Sequence, residues 1–256
     1  MEEGEQYSGG AGGCGASREV VEILLEDGPL IAVNKPAGLL TQGVPHGQAS
    51  LESLVKQYLR EKYAKPGNVY LGVPHRLDRP VSGIVVFARN SKAAARLAEQ
   101  FRERTVQKFY LAVTERVPET QQGRLCDWLL KDAVAAHVTV VPPKTEGAKD
   151  AILDYRVLAE RDGRALLEIE LHTGRMHQIR VQLASRGHHI VGDLQYGATL
   201  TPAAAATYDR LVSPIALHAR RLCLAHPVRY DRIELEAPLP PEWDDYGFSV
   251  PVQASG

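Results

Sequence analysis

The sequence has few cysteines and no long apolar run. Its three cysteines are far apart and none belongs to a Cys-x-x-Cys pair, so the pattern indicates neither a disulfide framework nor a zinc site and favours a reducing compartment. No run approaches the roughly 20 apolar residues that span a bilayer. The first residues lack both a basic and apolar leader and an Arg- and Ser-rich transit pattern. We therefore expect a cytoplasmic protein without a membrane segment.

Recognisable cofactor patterns are also missing. No Gly-rich phosphate loop follows a predicted strand. The spacing of His172, His177, His188 and His189 fits no standard set of metal ligands. We therefore predict neither a metal site nor a nucleotide cofactor.

Charge is balanced overall and unevenly distributed along the chain. The formal net charge is −1, yet residues 72–110 contain eight basic and three acidic residues. Residues 172–192 contain three arginines, four histidines and no acid. Any attraction for nucleic acid must come from such local excess, although charge alone slightly favours ordinary solvated helix faces.

Hydrophobic patterning predicts an α+β fold with a large mixed sheet rather than alternating βαβ units. We expect a disordered Gly-rich tail over residues 1–17, a catalytic domain over 18–246 and a C-terminal tail over 247–256. Three helices are predicted, over residues 50–63, 91–102 and 173–185, with Ser50, Ser91 and Thr173 as N-caps. Strands are predicted near residues 20–25, 30–33, 84–88, 106–113, 138–141, 151–159, 165–171, 217–224 and 229–235.

The first segment with candidate chemistry is the loop before the apolar run 84–88. It places Asp78 between Arg76 and Arg79. Flanking cations keep a carboxylate ionised at neutral pH, and a positioned carboxylate is a competent nucleophile. Taken alone, a structural ion pair is the more common arrangement.

The second segment, residues 172–180, lies at a predicted strand-to-helix junction. Arg175 and His177, with free backbone N–H groups at a helix start, would suit an anion. Arg180 borders an apolar stripe, and a buried arginine needs an acid partner, for which Asp78 is the candidate. Helix capping with a solvated basic face explains the segment equally well.

Together these segments resemble the RluA-type family of RNA pseudouridine synthases. The similarity runs in order from about Val21 to Trp243 and includes AVNKPAGLL, PHRLDRPVSGIVVFAR, KFYLAVTE, HTGRMHQIRVQLASRGHHIVGD and LHARRLCLAHPV. It implies a mainly antiparallel sheet with flanking helices and a central active-site cleft, and no metal or organic cofactor. The resemblance begins near residue 20, so we expect a compact member without an S4-type RNA-binding domain.

The resemblance also implies roles for individual residues. Asp78 would be the nucleophile that attacks the uridine or its ribose, Tyr110 would stack on the base and serve in proton removal, and Arg180 would pair with Asp78. Arg76 would hold the RNA open while the base leaves its stack, as chemistry on a base requires. The other candidate substrate-binding residues are Lys35, Arg79, Arg175, His177 and Gln178.

Three residues depart from the family pattern. Val81 stands where threonine is usual, Met176 replaces a common threonine, and Gln42 occupies a position where histidine often follows the NKPAG turn. None removes Asp78, Tyr110 or Arg180. The departures affect hydrogen bonding around the site rather than the reaction.

We therefore predict a monomeric enzyme that isomerises a specific uridine in structured RNA, either tRNA or rRNA. A single candidate carboxylate fits an isomerase better than a hydrolase, because hydrolytic glycosidases use a pair. The alternatives are an RNA-binding or RNA-folding protein that keeps the fold without catalysis, and a hydrolase acting on a nucleoside or sugar.

Overall fold

A computed structural model describes residues 21–43, 48–132, 134–200, 209 and 212–248. Within these ranges the chain forms three α-helices: α1 (Leu51–Lys62), α2 (Ser91–Arg102) and α3 (Gln178–Ala184). Short 3₁₀ helices cover Leu194–Tyr196 and Pro241–Tyr246. Ten strands complete the described fold: β1 (Glu22–Asp27), β2 (Leu30–Lys35), β3 (Ser82–Ala88), β4 (Gln107–Thr114), β5 (Gln122–Asp132), β6 (His137–Val141), β7 (Lys149–Arg161), β8 (Arg164–Leu171), β9 (Leu217–Ala225) and β10 (Arg232–Glu236).

The strands form one sheet in the order β1-β2-β3-β9-β4-β8-β7-β5-β6, with β10 paired to β9. Only β3 and β9 run parallel in the described residues, through Ser82 and Gly83 beside His218 and Ala219. All other strand pairs in this part of the chain are antiparallel. The predicted α+β fold with a mixed, mainly antiparallel sheet is confirmed.

Helices cover both faces of the sheet around β3. Leu51, Val55 and Leu59 of α1 belong to the same apolar cluster as Val85 and Phe87. On the other face, Ala93 and Leu97 of α2 belong to a cluster with Ile84 and Val86. Burial on both faces explains the uninterrupted apolar sequence of β3, and it fixes the position of the loop that precedes this strand.

Several predicted boundaries were wrong. Ser50 does cap α1, through the backbone N–H of Ser53, but Asn90 rather than Ser91 caps α2. The third helix begins at Gln178 instead of Thr173. Strand β5 was not predicted, and Phe248 packs in the main core beyond the predicted limit of the domain.

The predicted N-terminal tail over residues 1–17 and most of the C-terminal tail over 247–256 lie outside the described residues. No helix among the described residues has both the length and the apolar character required to cross a membrane.

Gly83 occupies the point where β3 meets β9. Its φ is +115°, and a Cβ atom there would lie 2.4 Å from the backbone oxygen of Ala219. We expect Gly83→Ala to lower the free energy of unfolding by at least about 3 kcal/mol, because both the conformation and the space exclude a side chain. Urea denaturation measures this loss.

Gly163→Ala is the matched control for this prediction. Gly163 also has a positive φ, +75°, but an added Cβ would meet no atom within 4 Å. Gly163→Ala should therefore lower the free energy of unfolding only by the backbone penalty of about 1–2 kcal/mol. Equal losses in the two variants would show that the contact between β3 and β9 does not exclude a side chain.

Candidate active site

Asp78 lies in the loop that leads into β3, and neighbouring segments fix the backbone of this loop. The hydroxyl of Thr41 donates to the carbonyl of Leu77 and accepts from its N–H, at 3.0 and 3.2 Å. The N–H of Val81 donates to the carbonyl of Asp78 at 3.1 Å. The Asp78 side chain is 27% exposed, so it points into accessible space from a fixed backbone.

The turn after β2 supports the same loop through Lys35. This lysine is fully buried, and its ammonium donates to the carbonyls of Pro36, Leu39 and Arg79 at 2.8–3.2 Å. Burial lowers the pKa of Lys35 to about 7, against the opposing effect of the Asp78 charge. The side chain of Arg79 donates to the carbonyl of Gly38, so Lys35 and Arg79 join the two segments.

Arg180 is the cation nearest to Asp78, and its main partner is a different acid. Its side chain is 2% exposed, and Nη1 lies 3.7 Å from Asp78 Oδ2. Nε and Nη2 bind the two carboxylate oxygens of Asp193, each at 2.7 Å. Nη2 also donates to Gln195. The expected pairing of Arg180 with Asp78 is present at 3.7 Å, but Asp193, which was not predicted, is the closer acid.

His177 is the second group facing Asp78. Its Nε2 lies 3.7 Å from Asp78 Oδ2, and its Nδ1 is hydrogen-bonded to the hydroxyl of Tyr196 at 2.8 Å. Its φ of +52° places the ring at this position just before α3. Burial lowers the pKa of His177 despite the nearby carboxylate, so the ring is neutral at pH 7.

A cavity of about 440 Å³ opens beside Asp78, and Tyr110 forms part of its wall. Tyr110 belongs to β4, next to β9 and β8 in the centre of the sheet. Burial, with the Asp78 charge, raises the pKa of the Tyr110 hydroxyl. The phenol is therefore protonated at neutral pH. Apolar wall residues are Leu77, Val81, Leu171, Ile179 and Leu217.

Cationic side chains surround the opening of this cavity, and we call this group of residues the basic rim. Its members are Arg76, Arg102, Arg104, Lys108 and Arg175. Two acids pair with this group: Asp150 lies 2.6 Å from Arg175 and 3.2 Å from Arg104, and Glu99 lies 3.1 Å from Arg102. Burial, together with Arg104 and Arg175, lowers the pKa of Lys108 to about 8. The rim therefore keeps an excess of positive charge beside an apolar cavity.

The basic residues between Arg89 and Lys108 separate in space. Arg89 pairs with Glu26 on β1, and Arg96 donates to the carbonyl of Pro227. Only the C-terminal members, Arg102, Arg104 and Lys108, reach the cavity. Arg96 and Arg102 are six residues apart on α2 and therefore lie on different faces of the helix, so a charge count along the chain overestimates the surface.

Gln178 is 2% exposed, and its amide shapes the segment before α3. Its Oε1 accepts from the hydroxyl of Thr173 and the N–H of Arg175, and its Nε2 donates to Ile152 and Gln182. Thr173 also accepts from the N–H of Ile152, so its hydroxyl binds β7 instead of capping a helix. Sequence reasoning missed the roles of Thr41, Asp193 and Tyr196, although the last two fall within motifs VGD and YG.

One group among the described residues has the composition of a metal site. Ligand atoms of Asp154, Glu170 and His172 lie within 4.8 Å of one another. Both oxygens of Asp154 already bind Arg124, at 2.6 and 2.7 Å, and one also contacts His172. Because a guanidinium occupies the carboxylate, the group fits an ion pair better than a metal ion.

Comparisons with known proteins point to one family. The family model described as RNA pseudouridylate synthase matches residues 29–185. The chain is 31% identical over 222 residues to ribosomal large subunit pseudouridine synthase D of Zymomonas mobilis, covering 86% of this chain and 69% of that protein. It is 33% identical over 236 residues to tRNA pseudouridine synthase C of Pasteurella multocida, covering 88% and 94%.

A solved structure gives the same result at the level of the fold. Human RNA pseudouridylate synthase domain containing 4 superposes with a TM-score of 0.72 and 26% identity, over 90% of this chain and 94% of that one. The family model covers most of the sheet and reaches α3, including both segments that meet at Asp78. The chain belongs to the RNA pseudouridine synthase family, the isomerases that convert uridine in RNA to pseudouridine.

Proposed function

We propose that this enzyme isomerises a specific uridine in structured RNA, with Asp78 as the nucleophile. One observation carries the proposal: Asp78 is the only carboxylate among the described residues in the wall of the 440 Å³ cavity. A base extruded from its stack would enter this cavity between the basic rim and Tyr110. The names of the relatives that act on tRNA and on the large ribosomal subunit support either class of RNA as the substrate.

The arrangement around Asp78 suits a nucleophile. Arg180 is permanently charged, yet its bidentate pair with Asp193 satisfies most of its donors. Its remaining nitrogen stays 3.7 Å from Asp78, beyond hydrogen-bond distance. Arg180 therefore attracts the Asp78 carboxylate without covering the oxygen that must attack.

The proposed reaction needs no further reagent. A carboxylate oxygen of Asp78 attacks the uridine or its ribose, and the bond between N1 and C1′ breaks. The uracil rotates, carbon 5 bonds to C1′, the proton on carbon 5 leaves, and Asp78 is released. The proton lost from carbon 5 is balanced by one gained at N1.

Tyr110 would stack on the uracil, as aromatic side chains do with unstacked bases. Its hydroxyl is protonated in the resting enzyme, so it would have to pass on its own proton as it accepts the one from carbon 5.

The other candidate residues fall into two groups. Arg76, Arg175 and His177 have groups that line the cavity, and we assign them to direct contact with RNA. Lys35, Arg79 and Gln178 are hydrogen-bonded to backbone carbonyls or neighbouring side chains. We propose that they act by positioning the two segments of the site.

Incubation of the purified protein with tRNA and rRNA transcripts tests the proposal. Pseudouridine should form at one or a few positions, and mapping in cells with and without the gene should identify the same sites. Binding without pseudouridine would favour the non-catalytic RNA-folding protein. Release of free uracil would favour the hydrolase.

We expect RNA affinity to fall about 10- to 100-fold between 50 and 200 mM salt, because a few rim cations would displace counterions from phosphates. Filter binding at several salt concentrations measures this dependence. Lys108→Gln should reduce the slope of log K against log salt by about one. Lys92→Gln, on the exposed side of α2, should leave it unchanged, and equal slopes for all three proteins would contradict the role of the rim.

A further inference from the structure

A second cavity, of about 320 Å³, lies on the other side of Asp78. This volume is at the small end of the range of about 300–1,000 Å³ typical of ligand pockets. Arg76, Leu77, Asp78, His177 and Arg180 line both this cavity and the larger one. The two spaces are thus neighbours that share a wall containing the proposed nucleophile. The remaining lining residues are Leu40, Thr41, Gln42, Arg79, Pro80, Ala136, Met176 and Gln195.

Most polar groups of the second cavity are already engaged. Thr41 binds the backbone of Leu77, and Arg79 Nε binds the carbonyl of Gly38. Gln195 accepts from Arg180 and donates to the carbonyl of Ala136. Gln42 is exposed, and its amide makes no hydrogen bond to any residue that the structure describes. The Gln42 amide, which has no partner among the described residues, therefore distinguishes this cavity from the first one, which Gln42 does not line.

These groups suit a nucleobase better than a phosphate. Arg79 and Arg180 have bonds to a carbonyl or a carboxylate. Arg76, which lines both cavities, has a guanidinium plane of the kind on which unstacked RNA bases stack. A glutamine amide carries both a donor and an acceptor, which matches the edge of a base. The thioether of Met176 is polarisable and makes favourable contacts with aromatic rings. The chemistry therefore favours one flat ring with a hydrogen-bonding edge.

We propose that the second cavity receives the base next to the target uridine in the RNA chain, and that Gln42 and Met176 discriminate among the bases there. This inference rests on the proposed function. When the target ribose lies at Asp78, its base fills the larger cavity beside Tyr110. The RNA chain must continue from that ribose, and the second cavity begins at the same carboxylate.

The lining of the two cavities supports a role in selectivity rather than in the reaction. Gln42 and Met176 line the second cavity and not the first. The residues shared by the two cavities include Asp78 and Arg180. Substrate choice can therefore differ in the second cavity while the chemistry in the first is retained.

The test uses the RNA in which the wild-type protein forms pseudouridine. Versions of this RNA carry each of the four bases at the 5′ neighbour, and others at the 3′ neighbour, of the target uridine in an unpaired loop. We expect kcat/KM of the wild type to vary about tenfold with the base on one side, the discrimination of one good side-chain contact to a base. Gln42→Ala should reduce that variation to about twofold, and Met176→Ala should change the order of preference.

Gln57→Ala is the matched control. Gln57 is an exposed glutamine on α1 that pairs with Glu61, so its variant should keep the wild-type preference. Equal rates of the wild type on all the RNAs would overturn the inference. So would a Gln42→Ala variant that slows every RNA by the same factor, because this places the target base itself in the second cavity. Failure of the wild type to form any pseudouridine would instead contradict the proposed function.

Discussion

Asp78→Asn should abolish pseudouridine formation, with a loss of at least about 10⁴-fold in kcat/KM. The amide keeps the shape of the carboxylate and removes its negative charge, so it cannot attack carbon. Losses of this size and larger follow removal of nucleophiles in other enzymes. Single-turnover assays on the mapped RNA measure the effect. Asp78→Ala should give the same result and excludes activity from deamidated asparagine.

The fold should tolerate this substitution. Asp78 is 3.7 Å from both Arg180 and His177, so the variant breaks no short ion pair. Its backbone bond to Val81 does not involve the side chain. We expect a change of less than about 1 kcal/mol in the free energy of unfolding and wild-type RNA affinity. Asp162→Asn, at an aspartate that is 71% exposed, is the matched control and should keep full activity. An active Asp78→Asn protein would rule out the nucleophile.

The sequence was most informative where local pattern and tertiary structure agree. The apolar run of β3 predicted a strand buried on both faces, and α1 begins at the predicted cap, Ser50. The approach of Asp78 and Arg180 could be predicted because a buried guanidinium needs an acid. The identity of that acid could not, since Asp193 is near Arg180 only after the turn that follows α3 has folded back.

The errors have physical causes of the same kind. Thr173 resembles an N-cap, but its hydroxyl binds the strand β7. The N–H of Arg175 instead donates to the side-chain oxygen of Gln178. Strand β5 is largely half-exposed and lacks clean alternation of polar and apolar residues, so its pairing with β7 determines its structure. Arg89 and Arg96 are close in sequence, whereas their partners Glu26 and Pro227 belong to distant parts of the chain. In each case, contacts between residues distant in sequence determined the structure.

The second cavity shows how far sequence can go toward function. The departures at Gln42 and Met176 were visible in the sequence, but nothing there indicated that they meet in one wall. The cavity is built from the segment after β2, the Asp78 loop, the start of α3, the turn before β6 and the 3₁₀ helix that contains Gln195. Only the fold brings these five segments together, and so only the fold suggests that they act on one ligand.

Asp193→Leu should cause the largest loss of stability among single changes at the site, about 3–5 kcal/mol. Arg180 is 2% exposed and Asp193 is 1% exposed, so the variant leaves a buried guanidinium without its bidentate partner. The remaining acid, Asp78, lies farther away and is accessible to solvent. Urea denaturation measures the loss. Asp231→Leu removes an acid from an exposed pair with Arg229, and as the matched control it should cost less than about 1 kcal/mol.

The double variant Arg180→Met with Asp193→Leu separates stability from catalysis. Replacement of both members of a buried pair by apolar residues is often close to neutral, so most of the lost stability should return. Activity should remain at least about 100-fold below that of the wild type, because no cation then favours and aims the Asp78 carboxylate. Recovery of both stability and activity would mean that Arg180 serves only the fold. A stable Asp193→Leu protein would instead make Asp78 the principal partner of Arg180.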